Sequence, residues 1–212
     1  MGKSTFMSKK EESFIFPFKK ISQPKKTIGI ASLEHHSGCT CISLAFSNYL
    51  CNKLRKSTAY IELNTSGQIH MLSKSGKKEP FTQTGFHIFP QTTISALPEI
   101  LRMNYDYLIF DYGVLNPNIA QEFSRCDYQY LIGDLSNWKK TITLEKSEQY
   151  INKKIIKPEY VTFLGNPLIK ESHCCRFLSS FYQVYSVPYI KNPFRITSED
   201  FIFYESIFKR KI

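Results

Sequence analysis

A short polar segment at residues 34–40 has the composition of a loop that binds phosphate. Its sequence, EHHSGCT, follows an apolar run at residues 27–32 and precedes a stretch with helical spacing of apolar residues. Such a loop binds anions by directing successive backbone N–H groups and a helix N-terminus at them. Gly38 lets the backbone approach a ligand closely, and Thr40 stands where a hydroxyl holds magnesium. The lysine that such a loop needs is missing, because Cys39 occupies its position.

The thiols and imidazoles of this segment suggest two other kinds of site. A zinc ion needs ligands that converge tetrahedrally, whereas the adjacent side chains of His35 and His36 point in different directions. Cys39 and Cys41 would also need a second ligand pair, which would have to come from His173, Cys174 and Cys175. A nucleophilic Cys39 next to His36 is the other alternative, because a helix N-terminus lowers the pKa of a thiol. The simpler expectation is that these cysteines pack as small apolar groups.

Short apolar segments alternate with helical patterns from residue 26 onward. Strands are predicted at residues 27–32, 59–63, 86–89, 107–111, 128–132, 161–164 and 184–187. Helices are predicted at residues 42–54, 98–103, 118–125, 138–151, 174–181 and 200–211, whereas residues 65–84 are expected to form a loop or irregular excursion. Strands that are apolar on both faces and alternate with helices indicate a buried parallel sheet. We therefore predict an α/β protein with a doubly wound, mostly parallel sheet.

The loop resembles the deviant phosphate-binding loop K-G-G-x-G-K-T of the MinD/ParA group of P-loop ATPases, which includes the pilus-associated TadZ-type proteins. That pattern aligns with Glu34 through Thr40. The segment YDYLIFDYG at residues 105–113 is similar to the Walker B strand of the group, with Asp111 as its acidic end. LGNP at residues 164–167 and VPYI at residues 187–190 resemble two later segments of the group. The resemblance covers roughly residues 26–195. It implies a three-layer P-loop NTPase-like sandwich.

The resemblance also implies a set of site residues. Glu62 and Asn64 end a strand where the group usually has two aspartates, and Asn166 stands near the base in relatives that bind ATP. Thr40 and Asp111 would hold magnesium if a nucleotide binds, so Mg-ATP is the implied cofactor. A structural alternative is that Asp111 caps a helix or pairs with Thr40. The candidate nucleotide-binding residues are Ser37, Gly38, Cys39, Thr40, Cys41, Glu62, Asn64, Asp111 and Asn166.

The departures from the group's pattern argue against ordinary ATP hydrolysis. Both lysines of the pattern are replaced, one by Glu34 and the other by Cys39. A carboxylate roughly 4 Å from a phosphate costs about 4 kcal/mol at an effective dielectric constant near 20. Micromolar affinity corresponds to only about 8 kcal/mol in total. We expect weak nucleotide binding unless Glu34 points away and Lys139 or Lys140 supplies the missing charge.

The composition is that of a globular protein with a basic balance. The chain has 212 residues, a net charge of +10 and lysines spread along its length, so anionic lipid, nucleic acid and simple solubility are all open explanations. It has no apolar run long enough to span a bilayer and no recognisable secretory signal, so a cytoplasmic location is expected. The six cysteines are expected to be reduced in that compartment.

The two ends of the chain combine aromatic and basic residues. Residues 1–25 are predicted to be a flexible basic arm, whose Phe14, Phe16 and Phe18 either dock on the domain or contact a membrane or partner. Residues 26–212 are predicted to form a single domain. The segment from Phe201 to Ile212 is predicted to be a helix with an apolar stripe and a basic end. It either packs against the sheet or makes a peripheral membrane contact.

Three hypotheses about function follow from the sequence. The first is a degenerate MinD/ParA-like domain that acts as a cytoplasmic interaction or positioning protein for an unidentified protein partner. The second is an active but atypical ATPase whose phosphate-binding lysine comes from another segment. The third is a basic partition-type protein that binds nucleic acid. Dimerisation is open, because the relatives dimerise across ATP with the lysine that is Glu34 in this chain.

Overall fold

The computed structural model describes residues 24–67, 69–73, 76, 78–167 and 172–208. The predicted arm up to residue 23, with its three phenylalanines, lies outside the described residues, as do the basic residues 209–211 and Ile212. None of the described helices has the length and apolar character that crossing a bilayer requires.

Within the described residues, eight strands form a single mixed sheet that is parallel except at one edge. The order across the sheet is β3-β4-β2-β5-β1-β6-β7-β8, and β3 is the antiparallel strand, paired with β4. The register sets Glu62 opposite Asp111, and Asp134 opposite Asn166, at the carboxyl ends of the strands. The strands are β1 Lys26–Ser32, β2 Thr58–Glu62, β3 Phe81–Gln83, β4 Phe86–Phe89, β5 Tyr107–Val114, β6 Tyr128–Asp134, β7 Val161–Asn166 and β8 Gln183–Ser186.

Six α-helices in the described part of the chain cover the two faces of this sheet. The first helix continues directly into a π-helical turn, Tyr49–Lys53, and short 3₁₀ turns occur at Ile69–Leu72, Ile94–Ala96 and Pro158–Tyr160. Pro98 lies in the first turn of the second α-helix, as predicted, where its missing N–H costs nothing. The helices are α1 Cys39–Asn48, α2 Leu97–Arg102, α3 Pro117–Ser124, α4 Lys140–Asn152, α5 His173–Ser179 and α6 Ser198–Phe208.

The described residues form hydrophobic clusters on both faces of the sheet, two of them on the face covered by α1 and one on the other face. On one face, Phe46 of α1 packs with residues of α6 and with Tyr130 of β6. On the other face, residues of α2, α3, α4 and α5 pack around Leu131 and Phe163. Helices on both faces of a largely parallel sheet make three layers. The predicted doubly wound α/β fold is confirmed.

The apolar stripe of α6 belongs to the core. Phe203, Tyr204, Ile207 and Phe208 are buried. The Tyr130 hydroxyl donates a hydrogen bond to the Ile207 carbonyl, at 3.2 Å. Over its described length this helix therefore packs against the sheet, which was one of the two expectations for this segment.

The segment at residues 65–84 is more regular than its composition predicts. It contains the 3₁₀ turn Ile69–Leu72 and strand β3, which pairs antiparallel with β4. The expectation of an irregular loop is corrected at these positions. β3 has only three residues, all partly or fully exposed, so its sequence carries no apolar run that would reveal it.

Candidate functional site

The loop between β1 and α1 is braced by its own hydroxyl groups. Ser32 and Ser37 both donate hydrogen bonds to the Glu34 carbonyl, at 2.8 and 3.0 Å. Gly38 precedes α1 in the left-handed conformation, with φ of 87°, and open space surrounds the position where a side chain would start. The predicted strand–loop–helix unit is present, and glycine is suited to that conformation because it lacks a Cβ.

The Glu34 side chain faces α4. It is 8% exposed, and its Oε1 lies 3.1 Å from the Thr143 hydroxyl. Two lysines bind the neighbouring carbonyls of the loop: Lys146 Nζ lies 3.0 Å from Leu33 O and Lys139 Nζ lies 3.3 Å from His35 O. Lys139 and the first two turns of α4 thus contact the three consecutive residues 33–35, which directly follow β1. One of the two lysines named from the sequence, Lys139, reaches the loop.

Asp111, at the carboxyl end of β5, is fully buried and accepts four hydrogen bonds. Its Oδ2 accepts from the hydroxyls of Thr40, at 2.6 Å, and Tyr60, at 2.7 Å. Its Oδ1 accepts from the Cys39 thiol, at 3.1 Å, and from the Gly113 backbone N–H, at 3.0 Å. A carboxylate has about four lone-pair positions, so these donors use all of them.

This arrangement leaves Asp111 no free lone pair with which to bind a magnesium ion directly. A magnesium ligand must present an oxygen lone pair to the ion at roughly 2.1 Å. The Thr40 hydroxyl donates its proton to Asp111 and keeps its own lone pairs, but both Asp111 oxygens are occupied by donors of the chain itself. The structural role considered for Asp111, a bond with Thr40, is the one that the geometry shows.

Cys39 is directed into the protein beneath the loop. Its side chain is 7% exposed, and its thiol also lies 3.5 Å from the Ile30 carbonyl. Burial, reinforced by the negative charge of Asp111, raises the pKa of Cys39 well above that of an ordinary thiol. The lowered pKa expected from the helix N-terminus is therefore wrong, because burial beside a carboxylate outweighs the helix dipole.

The side chains of Glu62 and Asn64 accept hydrogen bonds from residues that follow β2. Glu62 is fully buried and accepts hydrogen bonds from the Gln91 N–H at 2.9 Å and the Ser66 hydroxyl at 3.2 Å. Burial raises the pKa of Glu62, and the charge of Asp111 adds to that rise. The Oδ1 atom of Asn64 accepts from the backbone and hydroxyl of Ser66, at 2.9 and 2.6 Å.

A pocket of about 340 Å³ opens on the outer side of the loop. Its wall includes Asn166, the predicted base-side residue, and Asp134, which pairs with Lys139 at 3.5 Å. Although burial opposes the change, hydrogen bonds from Ser136 and the charge of Lys139 lower the pKa of Asp134. Trp138, four positions after Asp134 in the sequence, is 88% exposed. The lining residues are His36, Ser37, Gly38, Asp134, Asn166 and Pro167.

Cys41, another candidate residue, does not line this pocket. Cys41 is half-buried and its thiol lies 4.0 Å from the Ile190 carbonyl, on the side of the segment before α6. Over the described residues, His, Cys, Asp and Glu side chains nowhere gather in threes as a metal site would require. All six cysteines are free thiols.

Three residues of the site were missed by the sequence analysis. Tyr60 has a signal that could have been used, because residues two apart on a strand share a face and Tyr60 precedes Glu62 by two. Thr143 and Lys146 lie on a helix far away in sequence, and no local pattern connects them with the loop. Their contacts depend on how α4 packs against the end of β1.

Comparison with known proteins identifies the fold. No protein-family model matches the chain, and no curated protein matches it in sequence. A plasmid partition protein from Borrelia burgdorferi B31 bound to AMPPNP has a TM-score of 0.62 at 13% identity, over 89% of this chain and 100% of that one. The cell division ATPase MinD of Pyrococcus furiosus has a TM-score of 0.58 at 11% identity, over 88% and 99%.

A ParA family ATPase from Chlorobium tepidum TLS has a TM-score of 0.55 at 14% identity, over 87% of this chain and 92% of that one. The class defined by these likenesses is the P-loop NTPase-like α/β sandwich. Within that class, the chain has the MinD/ParA-type fold, as the sequence resemblance predicted. Identities this low establish the fold alone.

Proposed function

We propose that this protein is a MinD/ParA-type domain that acts as a cytoplasmic interaction or positioning protein and has little or no ATPase activity. The observation that carries the proposal is the saturation of Asp111 by Thr40, Tyr60, Cys39 and Gly113. Hydrolysis of ATP on this scaffold needs a cation at the phosphates, and Asp111, one of the two residues that would hold it, has its lone pairs occupied by donors of the chain. The loop is stabilised by contacts within the chain, so its shape does not depend on a phosphate.

The direct test is calorimetry with Mg-ATP and Mg-ADP, combined with a phosphate-release assay on the intact chain. We expect neither saturable turnover nor binding tighter than about millimolar, which corresponds to about 4 kcal/mol. Saturable turnover that disappears in Thr40→Ala or Asp111→Ala would show that the site is an active ATPase and would overturn the proposal.

A second candidate function is nucleotide binding without the usual loop lysine. It is favoured by one observation, the position of Lys139 Nζ at 3.3 Å from the His35 carbonyl beside the pocket. If this lysine serves a phosphate, Lys139→Ala weakens Mg-ATP binding at least about tenfold, which is 1.4 kcal/mol. The matched control is Lys140→Ala, because the Lys140 ammonium bonds to the nearby Asn137 side chain at 3.2 Å. Equal affinities of the two variants would exclude this candidate.

A further inference from the structure

The edge of the sheet at which the parallel strands begin is a single continuous surface. The backbone N–H of Asp106 donates to the Ser57 carbonyl at 2.8 Å, and that of Lys26 donates to the Asp106 carbonyl at 2.9 Å. These bonds set the starts of β2, β5 and β1 side by side, and Thr27 N–H, bonded to Asp127 at 2.8 Å, adds the start of β6. Helices that connect parallel strands return to this edge, so α1 to α4 end there.

Basic side chains are concentrated where these helices end. None of the basic residues at these helix ends that are named below forms an ion pair within the described part of the chain. All are exposed except Lys56, which is half-buried. We call this set the basic edge; it consists of Lys53, Arg55 and Lys56 before β2, Arg102 at the end of α2, and Lys153, Lys154 and Lys157 after α4.

The carboxylates close to the basic edge are largely taken up by local bonds. Asp106 accepts from the Ser57 N–H at 2.8 Å, and Asp127 pairs with Lys26 at 3.6 Å. Glu122 pairs with Arg125, its neighbour at the end of α3. Glu159, which is exposed two residues after Lys157, offsets part of the charge of the basic edge, and the larger part is available to an external anion.

Stabilisation of helix ends does not by itself explain these residues. Basic groups near a helix C-terminus gain about 0.3–1 kcal/mol from the helix dipole. Arg55 and Lys154, however, follow the last residues of their helices in the left-handed conformation, with φ of 55° and 54°. That conformation costs an L-residue roughly 1–2 kcal/mol, and glycine is the usual occupant. The chain keeps a charge at two places where glycine would be more stable.

Exposed apolar side chains are interleaved with this charge. Leu101 and Met103, which flank Arg102, are 43% and 41% exposed, and Phe181, just before β8, is 40% exposed. Apolar side chains beside basic ones suit a bilayer surface, where the former enter the interface and the latter pair with lipid phosphates. Nucleic acid offers phosphates but has no comparable apolar layer for aliphatic side chains.

We propose that the basic edge docks on a bilayer that contains anionic lipids. This inference goes beyond the proposed function, because it needs neither a nucleotide nor a protein partner. It also does not use the apolar stripe of α6, which packs in the core. In the sequence, Lys209, Arg210 and Lys211 follow α6, whose Phe208 ring lies 5.7 Å from that of Tyr107 at the start of β5.

The test is co-sedimentation of the full chain with vesicles, without nucleotide. One set contains phosphatidylcholine only, and the other contains about 30% phosphatidylserine, which gives the negative surface potential of a cytoplasmic leaflet. We expect binding to the anionic vesicles only, and its loss in about 1 M salt, where the Debye length is near 3 Å. Absence of binding to anionic vesicles at low salt would overturn the proposal.

Matched charge reversals locate the surface. The combination of Lys153→Glu, Lys154→Glu and Lys157→Glu should weaken partitioning at least about tenfold, because each basic residue contributes about 1 kcal/mol near such a surface. The control, Lys78→Glu with Lys191→Glu and Arg195→Glu, changes the net charge equally among exposed residues that precede β3 or follow β8. Equal losses in both variants would indicate net charge rather than a surface and would contradict the proposal.

Two further measurements separate a membrane from nucleic acid and guard against misfolding. Leu101→Ser with Met103→Ser should reduce vesicle binding severalfold without affecting any binding to a mixed-sequence DNA duplex. If the wild-type chain binds the duplex but not the vesicles, the partner of the basic edge is nucleic acid and the membrane proposal is wrong. If circular dichroism shows that the first variant is unfolded, Arg55→Glu with Lys53→Glu provides a second charge reversal at another part of the basic edge.

Discussion

At the scale of single residues, Asp111 has become part of the protein's internal structure. Two of its four donors, Cys39 and Thr40, come from the start of α1, and the other two come from β2 and from its own strand. Hydrogen bonds to a buried carboxylate are charge-assisted and strong, so they stabilise the loop as a metal would. The phenol of Tyr60 is one of these donors, and burial followed by the charge of Asp111 raises the pKa of Tyr60 well above its ordinary value.

Tyr60→Phe tests this role because it removes one donor and keeps the ring. We expect the free energy of unfolding to fall by about 1.5–3 kcal/mol, the range for a hydrogen bond to a charged group. Urea unfolding followed by circular dichroism measures the loss. The control is Tyr189→Phe, since Tyr189 is 89% exposed and should change stability by no more than about 0.5 kcal/mol. A loss no larger than that of the control would show that Asp111 does not need this donor.

Glu62 provides a test that depends on pH. Burial raises the pKa of Glu62, so the folded protein holds this proton more tightly than the unfolded chain. Its stabilising effect is complete below the ordinary glutamate pKa and is lost as the pH rises through the raised pKa. Glu62→Gln should therefore be more stable than the wild type at pH 7 and lose that advantage near about pH 4.

Urea unfolding at both pH values checks this expectation for Glu62. Glu145→Gln, on the exposed side of α4, is the matched control and should leave stability unchanged at both. If Glu62→Gln makes the protein less stable than the wild type at pH 7, the ionised carboxylate is favoured by its hydrogen bonds and the expectation fails.

At the scale of secondary-structure elements, α4 and the loop form one unit. Lys139, Thr143 and Lys146 contact the loop from positions about one turn apart. The Thr143 hydroxyl lies 2.8 Å from the Asp134 carbonyl as well as 3.1 Å from Glu34 Oε1, so its single proton serves these two acceptors, and its methyl group packs close to Gly133. The start of this helix therefore fixes both the loop and the end of β6, the two sides of the pocket.

Thr143→Val should loosen the loop because it keeps the methyl group and removes the hydroxyl. An unsatisfied buried acceptor costs about 1–3 kcal/mol, so we expect the variant to be destabilised by an amount in this range. Hydrogen exchange at residues 34–40 should become faster than in the wild type. Thr141→Val, on the exposed side of the same helix, is the control. Equal exchange of the loop in the two variants would contradict the link between α4 and the loop.

Elements with a strong apolar pattern were predictable, and the contacts between them were not. The strand at Phe86–Phe89 was predicted with its observed bounds, because four residues between turn signals define it. β5 extends three residues beyond its predicted end, to Val114, because Ser32 of β1 pairs with it there. Glu34 illustrates the limit: its replacement of a lysine was evident from the sequence, but its direction toward α4 depends on tertiary packing.

At the scale of the whole molecule, the alternation of strands and helices was enough to predict the fold. A right-handed crossover after each parallel strand leaves few arrangements of the sheet. The distribution of charge was harder to foresee, because lysines that are spread through the sequence come together only where helices end. The net charge of +10 suggested a diffuse surface, whereas the fold concentrates part of it at the basic edge.

The predicted domain boundary can be tested on the whole molecule. Lys25 Nζ bonds to the Met103 carbonyl at 2.5 Å, so contacts with the domain exist from this residue onward. A chain that begins at Pro24 should unfold in a single transition, with a free energy of unfolding within about 0.5 kcal/mol of the complete chain. Urea unfolding of the two chains checks this. A transition that becomes broader or splits would show that the preceding residues are part of the folded unit.

Trp138 gives the protein a convenient optical property. The sequence contains a single tryptophan, and it is 88% exposed. Its indole is already in water in the folded state, so its emission should shift little when the protein unfolds. The same fluorophore follows the pocket-lining residue Asp134 by four positions in the sequence, so a ligand or docked protein that also covers Trp138 would quench it or shift its spectrum. Tryptophan fluorescence should thus report occupancy of this region without interference from the folding equilibrium.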